Sequence, residues 1–240
     1  MSSPKTITEH FRELKNIAIP LAILWVIFFC IIWNVRENIL QLFLDMSLRA
    51  GVEVKQVLSP TESFSVLFKL VSIATNISMV PFFILAIWKY LGAELTTQEK
   101  KFALISIFIG SILLISGVLY GSLFVIPAVM EFFASLTPSY IEINYNLSEY
   151  IDFSLFMLMT LVGVFQLPLL IIASVLTNLI SIVSLKKNRK GIYFGLIIAA
   201  ALITPTPDLF TLAMVALPLL ILFEFSIIIS SIFQSKKITA

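Results

Sequence analysis

An all-α, polytopic membrane protein is the fold class the sequence predicts, and three observations carry it. The chain has 240 residues, 59% hydrophobic and 12% charged, with a mean hydropathy of +1.04. A soluble domain of this size carries about twice that charge fraction. The apolar residues are gathered into long runs, all but one of a length to cross hydrocarbon as helix. Basic residues sit between those runs and on alternate sides of them.

Backbone groups in lipid must bond internally, so long apolar runs read as helices rather than as barrel strands. The sequence predicts six spans, at roughly 17–35, 64–91, 102–133, 150–180, 190–206 and 209–234. The second and fourth carry Pro81 and Pro168, where the missing N–H and the ring are expected to kink a helix. The fifth is short: about 16 residues at 1.5 Å each reach about 24 Å, less than the roughly 30 Å hydrocarbon core. Either the bilayer thins there or the last pair of helices sits off-centre. No small-residue cleavage pattern follows the first apolar run, so a removable signal peptide is not expected.

Positive charge sets the orientation. With the N-tail, the 2–3 loop, the 4–5 loop and the C-tail in the cytoplasm, that side holds 12 of the 16 basic residues. They are Lys5, Arg12, Lys15, Lys89, Lys100, Lys101, Lys186, Lys187, Arg189, Lys190, Lys236 and Lys237. The 3–4 and 5–6 loops offer acids instead: Glu131, Glu142, Glu149, Asp152 and Asp208. Both termini are then inside, in keeping with an even number of spans. The outside segment 36–63 departs from the rule, with Arg36, Arg49 and Lys55. Its Ile39, Leu40, Leu42, Phe43, Leu44, Met46 and Leu48 alternate with Gln41, Asp45, Ser47 and Arg49, which predicts an amphipathic helix at the interface. No linker or internal repeat divides the chain, so residues 1–240 are expected to form a single membrane domain.

Several chemistries lack their residues. A single cysteine, Cys30, leaves no intramolecular disulfide or thiolate cluster. A single histidine, His10, leaves no His-based metal site or triad. There is no Gly-rich phosphate loop ending in Lys-Ser/Thr, no His-Glu-x-x-His helix and no Gly-x-Ser-x-Gly elbow. A pair of intramembrane aspartates is also missing. An enzyme needs an activated nucleophile or a metal, and the sequence offers neither.

The informative residues are polar groups in or beside the spans. Glu13, in His10-Phe11-Arg12-Glu13-Leu14-Lys15, precedes the first span, and Glu99 precedes the third. Both have an ordinary reading as acids of a first helical turn, stabilised by the helix dipole. Both also fit an acidic site for a cationic peptide, since paired arginines call for two carboxylates, each taking a guanidinium in two parallel hydrogen bonds. Gln166, in Val164-Phe165-Gln166-Leu167-Pro168, is either an interhelical hydrogen bond or a functional group. Glu224 stands alone in the last apolar run. An ionisable group there marks function by default, although a neutral, hydrogen-bonded carboxyl is the structural alternative. Pro60 and Glu62 precede Phe64 as a helix start would. Thr204-Pro205-Thr206-Pro207-Asp208 breaks the last long apolar stretch.

Taken in order, these stretches resemble the TatC family of twin-arginine translocase subunits over essentially the whole chain. The resemblance rests on 10–15, on Ser59-Pro60-Thr61-Glu62-Ser63-Phe64, on Glu99-Lys100-Lys101 and on Gly117 through Pro127. It continues through Tyr150-Ile151-Asp152-Phe153, Phe165-Gln166-Leu167-Pro168, 204–208, Leu217-Pro218 and Phe223-Glu224. It implies a curved, glove-like shell of six transmembrane helices with both termini inside, short helices 5 and 6, and interfacial caps on the outside. It implies a receptor for twin-arginine signal peptides that exports folded proteins using the proton-motive force, with no nucleotide, no cofactor and no nucleic acid. Its partners would be TatA- and TatB-type single-span proteins and further copies of itself. Its membrane would be a bacterial inner membrane or an organellar inner or thylakoid membrane.

Residue by residue, the resemblance makes Glu13 and Glu99, with Lys15 beside them, the signal-peptide site. Gln166 matches an intramembrane position that is usually Glu and meets a partner helix, and Glu224 joins it as a second intramembrane polar group. Pro60 and Asp208 match outside positions needed for the competent shape. Lys15 stands where Arg is frequent, keeping charge but losing the bidentate fork. Tyr90 stands where Phe is common, and Gly92-Ala93 lacks the usual proline, so a looser 2–3 loop is expected. A competing reading is a small secondary transporter with Glu224 as its proton or cation site and 204–208 as a broken helix. The lack of an internal repeat and of a second broken helix argues against it.

Overall fold

The structure, a computed structural model, describes residues 7–91, 97–138, 140–141, 143–176, 179–204 and 208–238. It is helical nearly throughout. The elements are α1 (Ile7–Asn34), α2 (Arg36–Arg49), β1 (Val54–Gln56), α3 (Glu62–Leu91) and α4 (Thr97–Tyr120), the last running through a π-helical turn (Gly121–Val125) into α5 (Ile126–Leu136). Then follow β2 (Tyr145–Asn146), α6 (Leu147–Phe165), α7 (Leu167–Leu176), α8 (Ile182–Lys187), α9 (Arg189–Ile203) and α10 (Leu209–Ile238).

Five segments among the described residues are long and apolar enough to cross a membrane: Lys15–Asn34, Glu62–Ile87, Ile105–Leu136, Leu147–Val175 and Leu209–Ile232. They correspond to predicted spans one to four and six. The predicted fifth span is α9, a helix of 15 residues, about 22 Å long. The last helix departs from the expectation of a short helix 6. It has 30 residues, because its apolar run meets no breaker stronger than Pro218.

The prolines within the helices show what breaks a helix here. Pro168 cannot donate to the carbonyl of Val164 and its ring crowds that carbonyl. The chain breaks at Gln166, whose N–H bonds Gly163 O at 3.0 Å while its own carbonyl takes Leu169 and Leu170 N–H at 3.1 and 3.2 Å. Pro81 does not end its helix: α3 runs through it without a break, as α1 does through Pro20. Pro218 leaves the Met214 carbonyl without its helical donor. The Tyr120 hydroxyl of α4 donates to that carbonyl at 3.2 Å, so a group left unpaired in lipid is satisfied by a neighbouring helix. Pro127 lies in the first turn of α5, directly after the π turn, where the Ile126 N–H reaches back to Gly121 O.

Helix α6 is the centre of the molecule. Of the most apolar stretch of the Leu147–Val175 span, which α6 begins and α7 completes, 56% is buried, against none for α1. Helix α6 packs on α3, α4 and α10, while α1 lies outside and rests on α3. Closeness to α4 depends on Gly117 and Gly121. A Cβ at Gly117 would lie 3.2 Å from Phe165 Cβ and 3.3 Å from Leu161 O, and one at Gly121 would lie 2.9 Å from Leu158 Cδ1. Small residues allow this approach, and in lipid it gains dispersion contact. The peripheral α1 is held to α3 by rings instead: Phe29–Phe68 (5.5 Å), Phe28–Phe82 (5.5 Å) and Trp33–Phe64 (6.3 Å). Trp25 Nε1 adds a hydrogen bond to Asn76 Oδ1 at 2.9 Å.

The expected interfacial helix is α2. It buries Phe43, Met46 and Ser47 and packs on α3 and α5. Gly51, with φ of 71°, makes the left-handed turn after it, which lets Val52 N–H return to Ser47 O at 3.0 Å. β1 then pairs in parallel with β2, joining two segments far apart in sequence into one cap. No periodicity signals strands this short.

Candidate functional site

Glu13 lies in the second turn of α1 and Glu99 in the first turn of α4; their side chains are outside the described set. The two helix starts share one end of the bundle. α1 and α3 are antiparallel, since Trp25 meets Asn76 and Trp33 meets Phe64. α4 and α6 are antiparallel too, since Gly110 approaches Gln166 and Gly121 approaches Leu158. Lys15 is exposed on α1. Beside it an apolar cleft of about 140 Å³ opens between α1 and α3, lined by Asn16, Pro20, Leu24, Phe82 and Leu85. Carboxylates at such a helix end, with an apolar cleft alongside, can meet a cationic segment followed by an apolar one.

Gln166 sits at the α6–α7 break, half-buried. Its Nε2 donates to Gly110 O on α4 at 3.2 Å. Its Oε1 is buried with no hydrogen bond among the described residues. A carboxamide both donates and accepts, whereas an ionised carboxylate only accepts. The neighbouring carbonyl therefore suits Gln at this position and leaves one acceptor over for another donor.

Glu224 is not alone. The Tyr193 hydroxyl donates to Oε1, and Arg189 Nη2 lies 3.2 Å from Oε2. The sequence read Arg189 as one more basic residue of the 4–5 loop. The short α9 brings it level with residue 224, because α9 and the stretch from Leu209 to Glu224 are of nearly equal length. A carboxylate already paired with Tyr193 and Arg189 does not support the transporter reading.

The outside turn that carries Pro60 is organised by a residue read from the sequence only as part of a helix start. Pro60 is exposed in the turn before α3. Two residues on, Glu62 is 8% exposed. Its Oε2 accepts from the N–H groups of Leu58 and Ser59 at 2.5 and 3.2 Å, and its Oε1 from Ser148 N–H at 3.0 Å. One carboxylate thus joins the turn before α3 to the start of α6. Ser59-Pro60-Thr61-Glu62 matches the Ser-x-x-Glu capping pattern, which was signal enough for the local half of this role. Asp208 caps α10, its Oδ1 accepting from Thr211 N–H at 2.6 Å; residues 205–207 of the break lie outside the described set. Lys69 of α3 and Asp152 of α6 form an ion pair at 2.8 Å that the sequence reading missed. A lysine inside an apolar run was its signal, since such a charge needs a partner.

The family model described as Sec-independent protein translocase protein (TatC) matches residues 9–218. The TatC protein of Desulforapulum autotrophicum is 30% identical over 232 residues, covering 96% of this chain and 86% of that protein. The TatC protein of Carboxydothermus hydrogenoformans is 30% identical over 235 residues, covering 98% of this chain and 96% of its own. Among solved structures, the twin arginine translocase receptor TatC crystallised in DDM superimposes with a TM-score of 0.78 at 24% identity, covering 92% of this chain and 99% of that one. A second TatC crystal structure gives 0.75 at 24% identity, so the fold is shared. With a family match from the first helix into the last and full-length relatives at this identity, the chain belongs to the TatC family of Sec-independent protein translocase proteins, integral to the membrane and multi-pass.

Proposed function

We propose that this chain is the signal-peptide receptor and core subunit of a twin-arginine translocase, acting as one membrane-embedded unit and not as an enzyme. What supports the reading most is the family match over residues 9–218, together with two helix starts at one end of the bundle that carry Glu13 and Glu99. In this reading both termini face the cytoplasm. The two carboxylates take the paired arginines of a signal peptide, Lys15 orients them, and the attraction is screened by salt. The apolar part of the peptide then follows the helices inward. Gln166, with an acceptor to spare, and Glu224 meet the single transmembrane helix of a TatA- or TatB-type partner. Pro60 and Asp208 hold the outside ends of α3 and α10 in the competent shape. The proton-motive force drives transport of folded cargo, and copies of the chain assemble into a multimeric receptor. The short α9 thins the bilayer and lowers the barrier to a transient opening.

Glu99→Ala tests the docking step. Loss of a charge-assisted contact of about 2 kcal/mol lowers affinity for a twin-arginine peptide by roughly thirtyfold, with membrane assembly unchanged. The measurement is peptide binding to the reconstituted complex at low salt. Equal affinity in the variant rules out the docking role of Glu99.

A further inference from the structure

The four basic residues between α7 and α9 are held at an unusual level. Two independent contacts set it. Ile182 and Leu185 of α8 are buried with Val175 against Phe223 and Ile227 of α10. Arg189, the first residue of α9, is paired with Glu224. The α8–α9 corner is therefore fixed at residues 223–227, about 22 Å along α10 from its Asp208 end. The hydrocarbon core is roughly 30 Å thick. α10 itself continues to Ile238, about 21 Å beyond Glu224. The corner thus sits short of where an unperturbed leaflet places its headgroups.

Around the corner is an open cleft of about 780 Å³, lined by Lys186, Lys187, Asn188, Arg189, Lys190 and Tyr193. The three lysines are exposed. Arg189 uses Nη2 on Glu224, and its Nε is buried with no hydrogen bond. Glu224 is the one carboxylate paired here, so most of the positive charge is uncompensated among the described residues. A second cleft adjoins it through Tyr193, which lines both, and is mostly apolar, with Leu220, Ile221, Phe225 and Ile228 around Glu224. A ligand that fits must carry negative charge with strong acceptor oxygens and an apolar body that lies along α9 and α10.

We propose that the α8–α9 corner binds the phosphate headgroup of an anionic phospholipid, with its acyl chains along α9 and α10. Lys186, Lys187 and Lys190 supply charge and Arg189 supplies the directed donor. Headgroups drawn inward at this point meet the cationic corner at the level where it is held, so the lipid accommodates the short helix. A soluble phosphate would match the charge and leave the adjoining apolar cleft uncovered.

The test is binding of phosphatidylglycerol, with phosphatidylcholine as neutral control, to the delipidated full-length chain in detergent, read by native mass spectrometry. The wild type prefers phosphatidylglycerol by about tenfold. K186Q/K187Q/K190Q brings that preference to within about twofold, and K186R/K187R/K190R, which keeps the charge, retains it. Inorganic phosphate in large excess does not displace the lipid. The proposal is overturned if the wild type shows no preference, if the glutamine variant keeps it, or if inorganic phosphate displaces the lipid as readily as added phosphatidylglycerol does.

Discussion

Glu62 shows how one side chain can hold two distant segments. Its carboxylate accepts three backbone N–H groups from Leu58, Ser59 and Ser148, at a position only 8% exposed. Removing the acceptor leaves donors unpaired near the membrane surface, and Glu62→Ala is expected to cost about 2 kcal/mol. Glu62→Gln, which retains one acceptor oxygen, is expected to cost about half as much. Thermal unfolding in detergent reads both; wild-type stability in Glu62→Ala would show that water replaces the carboxylate. Residue types were legible in the sequence as candidates, but their partners were not. Glu224 read as solitary because Arg189 is 35 positions away. Lys69 needed a partner, yet nothing in the chain pointed to Asp152. Gln166 was recognised as costly in lipid, whereas its donation to Gly110 O depends on how closely α4 and α6 approach.

At the scale of elements, proline alone does not decide where helices end. The break at Gln166 follows from Pro168, while Pro20, Pro81 and Pro218 lie inside continuous helices. At Pro218 the freed Met214 carbonyl is taken by Tyr120. Tyr120→Phe is therefore expected to cost about 1 kcal/mol, and much less in a Pro218→Ala background, where residue 218 regains its own N–H. A double-mutant cycle in unfolding free energy checks this, and equal costs in both backgrounds would remove Tyr120 from that role. The Lys69–Asp152 pair links α3 to α6 with both side chains about half exposed. Lys69→Met and Asp152→Asn should couple by less than about 1 kcal/mol. Coupling well above that would mark the pair as shielded by lipid. Helix starts were largely legible, since five of the six predicted spans begin within five residues of an observed helix start. The π turn, the paired strands and the length of α10 were not, because each depends on neighbours rather than on local pattern.

The whole molecule is organised around α6, with α1 and α3 on one side and α7 to α10 on the other. That arrangement puts the starts of α1 and α4 at one end and the Glu62 cap at the other. The α9–α10 pair is tied at one end by Arg189 on Glu224, while at the other Asp208 caps the start of α10. In the proposed function these ends have different work: peptide capture at the carboxylate end, shape at the cap, and bilayer thinning beside the short α9. Family-wide motifs in order made the fold class and the family readable from sequence. The chain's own contacts, above all the carboxamide at 166 and the paired Glu224, required the structure. The most direct measurement places a photo-crosslinking residue at position 99 in native-like membranes. A signal peptide carrying Arg-Arg or Lys-Lys is then added, with the TatA- and TatB-type partners present. The receptor reading predicts a crosslink to the Arg-Arg peptide and little or none to Lys-Lys. No crosslink to either peptide, or equal crosslinks to both, would contradict it.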